Sequence, residues 1–62
     1  MVTNKRNVRI ILCIGRNCIH RVVTVNIHTY EEDLEKEIAI FLNDWPLLAE
    51  SDKLVIDYKE EE

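Results

Sequence analysis

Both cysteines, the only glycine and one of the two histidines lie within eight residues, CIGRNCIH at positions 13–20. Thiols and imidazole at this density suit zinc, a disulfide or a nucleophilic thiol. Zinc takes Cys2His2 sets, but its knuckles place paired cysteines two to four residues apart on a turn. Here four residues separate Cys13 from Cys18, and His28 lies eight residues beyond His20. On an extended strand that gap is roughly 27 Å at about 3.3 Å per residue. A single chain therefore gathers at most three of the four ligands, and neither a metal nor another cofactor is expected. A disulfide requires Cys13 to face Cys18 across a hairpin, and an oxidising compartment. A catalytic thiol needs a helix N-terminus or a base held by a third group, and neither is visible nearby. The cysteines read most simply as small apolar residues at a hairpin tip.

The remaining residues add no catalytic set. One glycine does not make a phosphate-cradling loop. Ser51, the only serine, sits in an acidic stretch with no histidine near it in sequence. The carboxylates cluster in a helix-like segment and a terminal EEE, where they serve capping and solubility. Acid–base catalysis would need a cleft that shifts their pKa values. The chain is expected to be non-enzymatic.

Three kinds of element must position these residues. NVRIILCI (7–14) and CIHRVVTVNIH (18–28) are rich in Val and Ile and alternate, around a short turn with Gly15 and Asn17, which predicts a β-hairpin. Val8, Ile10, Leu12 and Ile14 share one face of the first strand. Ile19, Val23, Val25 and Ile27 share one face of the second, with Arg21 as the exception. A turn at Arg16-Asn17 pairs Ile14 with Ile19 and Ile10 with Val23. A turn at Gly15-Arg16 keeps the same faces but sets Cys13 opposite Cys18, and both registers remain open. HTYEEDLEKEIAIFLNDWP predicts a helix with Thr29 and Glu32 as a capping box and Pro46 as its stop. Its apolar stripe is Tyr30, Leu34, Ile38, Phe41 and Trp45, with Leu42 on the flank. LLAESD predicts a loop or short helical turn, and KLVIDYK (53–59) a third strand with Leu54, Ile56 and Tyr58 on one face. The tail 60–62 is expected to be solvated. The expected fold is α+β, a small ββαβ domain: a hairpin plus a third strand form a three-stranded sheet, with one helix packed on one face. Whether strand three lies beside strand one or strand two is open.

The 62 residues, 47% hydrophobic and 32% charged with one Pro, fit one globular domain and exclude a disordered or low-complexity chain. A chain this short buries only about 60% of its unfolded surface, so it gains from a disulfide, a metal or a second chain. The longest apolar run, IILCI, is too short to span a membrane. MVTNKRNVR lacks the apolar core of a signal peptide, so a cytoplasmic setting without membrane attachment is expected.

One helix covers one face of a sheet. The other face should carry Arg9, Ile11 and Cys13, then His20, Val22, Thr24, Asn26 and His28, then Lys53, Val55 and Asp57. Its middle, Ile11, Cys13, Val22, Thr24 and Val55, is apolar or small, and such a face is a candidate contact surface. The expected function is a small protein-interaction module, homodimeric through this face, that regulates or inhibits another macromolecule. Net charge is −4. Residues 1–28 hold five cations and no acid, whereas residues 29–62 hold all twelve acids and three lysines. The acidic helix and tail would then compete for basic, nucleic-acid-binding surfaces of a protein target. The alternative is a nucleic-acid binder that touches phosphate with Lys5, Arg6 and Arg9 at one end of the hairpin and Arg16 and Arg21 at the other. The hairpin has no aromatic residue to stack bases, which weighs against that alternative.

Overall fold

The computed structural model describes residues 4–61. Strands β1 (Lys5–Ile14) and β2 (Asn17–Asn26) form a hairpin, followed by a single 3-10 turn, Ile27–Thr29. Helix α1 (Tyr30–Asp44), a four-residue helix α2 (Pro46–Ala49) and strand β3 (Leu54–Glu61) complete the chain. The sheet is antiparallel throughout in the order β2-β1-β3, so strand three lies beside strand one. The fold is thus the expected α+β arrangement of three strands and a covering helix.

Register follows from one backbone angle. Gly15 has φ +59°, and no other described residue has a positive φ. A two-residue turn with Gly first and a normal second residue is type II′, whose twist matches paired strands. A turn at Arg16-Asn17 would instead force a left-handed conformation onto side chains that resist it. Ile14 therefore faces Asn17, and Cys13 faces Cys18. The pair next to a two-residue loop exchanges both hydrogen bonds, so the following pair is the close, non-bonded one. Cys13 and Cys18 occupy that pair with Cα atoms 4.1 Å apart, and their sulfurs are joined. The expectation of two unlinked apolar cysteines is overturned by this register.

Three local expectations also change. β2 ends at Asn26, so His28 lies in the 3-10 turn and not on the outer sheet face. The Thr29 side chain makes no capping bond. Capping moves upstream: Asn26 Oδ1 accepts from the His28 amide at 2.8 Å, and Asp33 Oδ2 accepts from the Asn26 amide at 2.9 Å. Trp45 leaves the helix with φ −131° ahead of Pro46, so its ring is exposed instead of continuing the apolar stripe. At the C-terminal end Glu60 and Glu61 belong to β3, with Glu60 exposed and Glu61 half-buried, and Glu62 lies outside the described residues.

The core is Val8, Ile10 and Leu12 from β1, Val23 and Val25 from β2, and Leu34 and Phe41 from α1. All the β1 members are even-numbered, as alternation requires. Helix α1 approaches β2 most closely. A helix about 10 Å across covers two strands spaced about 4.8 Å apart, and a third lies beyond its reach. Ile56 and Tyr58, on the helix side of β3, accordingly remain 43% and 49% exposed.

Candidate interaction surfaces

The outer face carries the five residues expected at its middle, Ile11 and Cys13 on β1, Val22 and Thr24 on β2, and Val55 on β3, while Lys53 precedes β3 and does not belong to the face. Val22 is 50% and Val55 60% exposed, and none of the described elements covers them. Across the strands Cys13 stands between Cys18 and Val55, and Ile11 between His20 and Asp57. The next row sets Arg9 between Val22 and Lys59. An apolar patch of the disulfide, Ile11 and Val55 therefore occupies the hairpin end, with Val22 at its border.

Polar contacts occupy the rest of this face. Arg9 Nε donates to Glu61 Oε1, and Arg9 Nη1 lies 2.8 Å from His20 Nδ1. Thr24 Oγ1 donates to Asn7 Oδ1 at 3.0 Å. Arg9 thus lies directly opposite Val22, between it and Lys59, and the apolar area is smaller than alternation alone suggests.

The five hairpin cations do not form one surface. Lys5 and Arg9 point to the outer face, whereas Arg6 and Arg21 are on the helix side by alternation. Arg9 is held by Glu61. The Arg21 guanidinium lies 4.6 Å from the centre of the Phe41 ring and donates to Asp44 Oδ2 at 2.7 Å. That contact explains why an arginine interrupts the inner apolar row of β2: its stem and flat head cover Phe41. Arg16 is exposed in the turn.

A second apolar surface lies on the helix side, between α1 and β3. Glu31, Leu34, Glu35, Ile38 and Tyr58 line a trough of about 370 Å³. Tyr30 packs against the core, and its phenol is raised above the usual value of 10.0, chiefly by burial and then by the negative charges of Glu60 and Tyr58. The sequence pattern put Leu54, Ile56 and Tyr58 on one face of the third strand, but it reports which face a residue takes and not whether the covering helix reaches it. The relative widths of a helix and three strands were the available signal.

No protein-family model, curated protein or solved structure matches the chain. Among the described residues, no group of three or more His, Cys, Asp or Glu side chains is placed to hold a metal ion, and no helix is long and apolar enough to cross a membrane.

Proposed function

We propose that this chain is a non-enzymatic protein-interaction module that forms a homodimer through the helix-free sheet face and regulates another macromolecule. The observation that carries the proposal is the uncovered apolar patch of Ile11, the Cys13–Cys18 disulfide and Val55, with Val22 beside it, on a domain with seven core residues among those described. Stacking two such faces supplies the apolar burial that a short chain lacks. Arg9, Glu61, His20 and Thr24 form the polar border that gives such a contact its orientation. With this face occupied, the acidic surface of α1 points away from the dimer and is the part offered to a partner.

The nucleic-acid alternative has less support, because Arg9 and Arg21 are ion-paired within the chain and the cations are divided between two faces. Light scattering on a sizing column, at low and high salt, tests the proposal. A dimer that survives high salt, and becomes a monomer in a Val22→Lys, Val55→Lys variant, is expected. A monomer at every concentration would overturn the homodimer.

A further inference from the structure

The geometry points to a second binding site: the open edge of β3, with the trough beside α1, takes an extended basic segment of a partner protein as an added strand. This inference rests on the interaction-module proposal and names the partner chemistry. In an antiparallel sheet, alternate residues send both backbone polar groups to the same neighbour. Ile14 and Asn17 are such a pair, so even-numbered residues of β1 bond β2 and odd-numbered ones bond β3. On β3, therefore, Leu54, Ile56, Tyr58 and Glu60 direct their amides and carbonyls away from β1. Two observed contacts agree: the Tyr58 amide donates to Asp57 Oδ1, and the Leu54 amide to the Ser51 carbonyl.

The same four residues carry the helix-side row of β3. A strand laid against this edge would bond the outward main-chain groups of Ile56 and Glu60 and the Tyr58 carbonyl, and would displace Asp57 Oδ1 from the Tyr58 amide. Its alternate side chains would lie over the uncovered apolar row beside Ile38. This is recognition by strand addition, in which the main chain supplies affinity and alternate side chains supply selectivity.

Charge selects the occupant. Glu31 and Glu35 line the trough from α1, Glu60 follows Tyr58 on the helix side of β3, Asp57 sits over the strand edge at the Tyr58 amide, and no cation is among the lining residues. A second copy paired here would set these acids against their own equivalents, which opposes pairing. A foreign segment alternating apolar residues with Lys or Arg meets both requirements. The trough opens on the opposite side of the sheet from the proposed dimer contact, so both surfaces can be filled together.

The probe is a labelled ten-residue peptide alternating Val or Ile with Lys or Arg, compared with the same peptide carrying Glu at the basic positions. Binding is followed by fluorescence anisotropy and by amide shifts of the full-length protein. The basic peptide is expected to bind and to shift the amides of Ile56, Tyr58 and Glu60. A Glu31→Gln, Glu35→Gln variant should weaken it about fivefold to tenfold, since two exposed charges are lost. Ile56→Pro removes an outward-facing amide while leaving the β1 ladder intact, and should abolish binding. Should that variant not fold, the exposed glutamate pair decides the matter alone.

No binding at about 1 mM peptide, a weak limit for any specific contact, would overturn the proposal, as would equal binding of the acidic peptide or shifts confined to Ile11 and Val22. Self-association removed by Ile56→Pro, but not by Val22→Lys, Val55→Lys, would assign the edge to a second copy instead. Peptide binding retained in the Lys-substituted monomer would leave this site standing while the dimer proposal falls. A dimer that ignores the peptide would do the reverse.

Discussion

Asp57 Oδ1 accepts a hydrogen bond from the backbone amide of Tyr58 at 2.8 Å, so a side chain of β3 occupies a main-chain donor on the open edge of that same strand. Exposed edges invite pairing with other chains, and a carboxylate placed over a free amide both satisfies it and repels acidic strands. Asp57→Ala is therefore expected to raise hydrogen exchange at Tyr58 about fivefold, matching a net hydrogen bond of about 1 kcal/mol. It should also increase self-association at high protein concentration. Asp57→Asn keeps an acceptor oxygen and should sit between the two. Unchanged exchange in the Ala variant would show that the bond does not persist in solution.

Arg21, Phe41 and Asp44 form the one contact in which a charged residue of β2 closes over the core. An exposed cation–aromatic contact contributes about 0.5–1 kcal/mol and a part-exposed ion pair up to about 1 kcal/mol. Arg21→Ala should thus cost about 1–2 kcal/mol in urea unfolding. Arg21→Met, which keeps the stem over Phe41, should cost less. Asp44→Asn should cost least, and its penalty should shrink with added salt. Equal losses in the Ala and Met variants would put the energy in the ion pair and not in the cover over Phe41.

The hairpin tip is fixed twice, by Gly15 and by the Cys13–Cys18 bond. Gly15→Ala meets no atom within 4 Å of the added carbon, so its cost is the positive φ alone. That is about 1–2 kcal/mol, and Gly15→Asn should cost less. Replacing both cysteines with serine removes a link between residues five apart in sequence. The chain-entropy argument gives about 2 kcal/mol for so short a loop, an upper figure because the turn already brings the strands together. Denaturant titration with and without reductant measures the difference. The Gly15→Ala penalty should grow once the disulfide is gone, since the two constraints act on the same turn.

Tyr30 makes stability fall in alkali. Its folded pKa is raised above the unfolded value, so the folded state holds the phenolic proton more tightly. The resulting stability is complete below pH 10 and is lost as pH rises through the folded value. Urea midpoints at about pH 8 and pH 11 should separate for the parent chain and less so for Tyr30→Phe. Glu60→Gln removes a neighbouring charge and should lower the pH at which Tyr30 ionises, read by its ultraviolet absorbance.

Element order, strand faces and the α1 stripe as far as Phe41 were legible because period-two and period-3.6 patterns are strong in this chain. The Gly15-Arg16 register was legible in principle, since only glycine takes the first position of a type II′ turn without strain. What the pattern lacked was lateral position. Nothing in KLVIDYK states that β3 pairs with β1, nor that α1 leans toward β2 and leaves Ile56 and Tyr58 open. The cap was misplaced because Thr29 and Glu32 have the right spacing, while the bonds from the Asn26 and His28 amides depend on a 3-10 turn that breaks β2 early. Arg21 looked like a free cation because its partners, Phe41 and Asp44, lie twenty or more residues away in sequence.

The central strand β1 comes first in the chain, and its two neighbours reach it by very different routes. β2 arrives through a two-residue turn, whereas the closest contact with β3 joins Ile14 to Leu54, forty residues apart. Loop closure over that distance is slower and costs more entropy, so the hairpin and α1 are expected to assemble first and β3 to dock last. The strand expected to dock last is also the least covered by the helix, and hydrogen exchange should find it the first to open in native-state fluctuations. One wall of the proposed peptide site is therefore expected to be the most labile part of the fold, and an added strand would stabilise the very segment it binds.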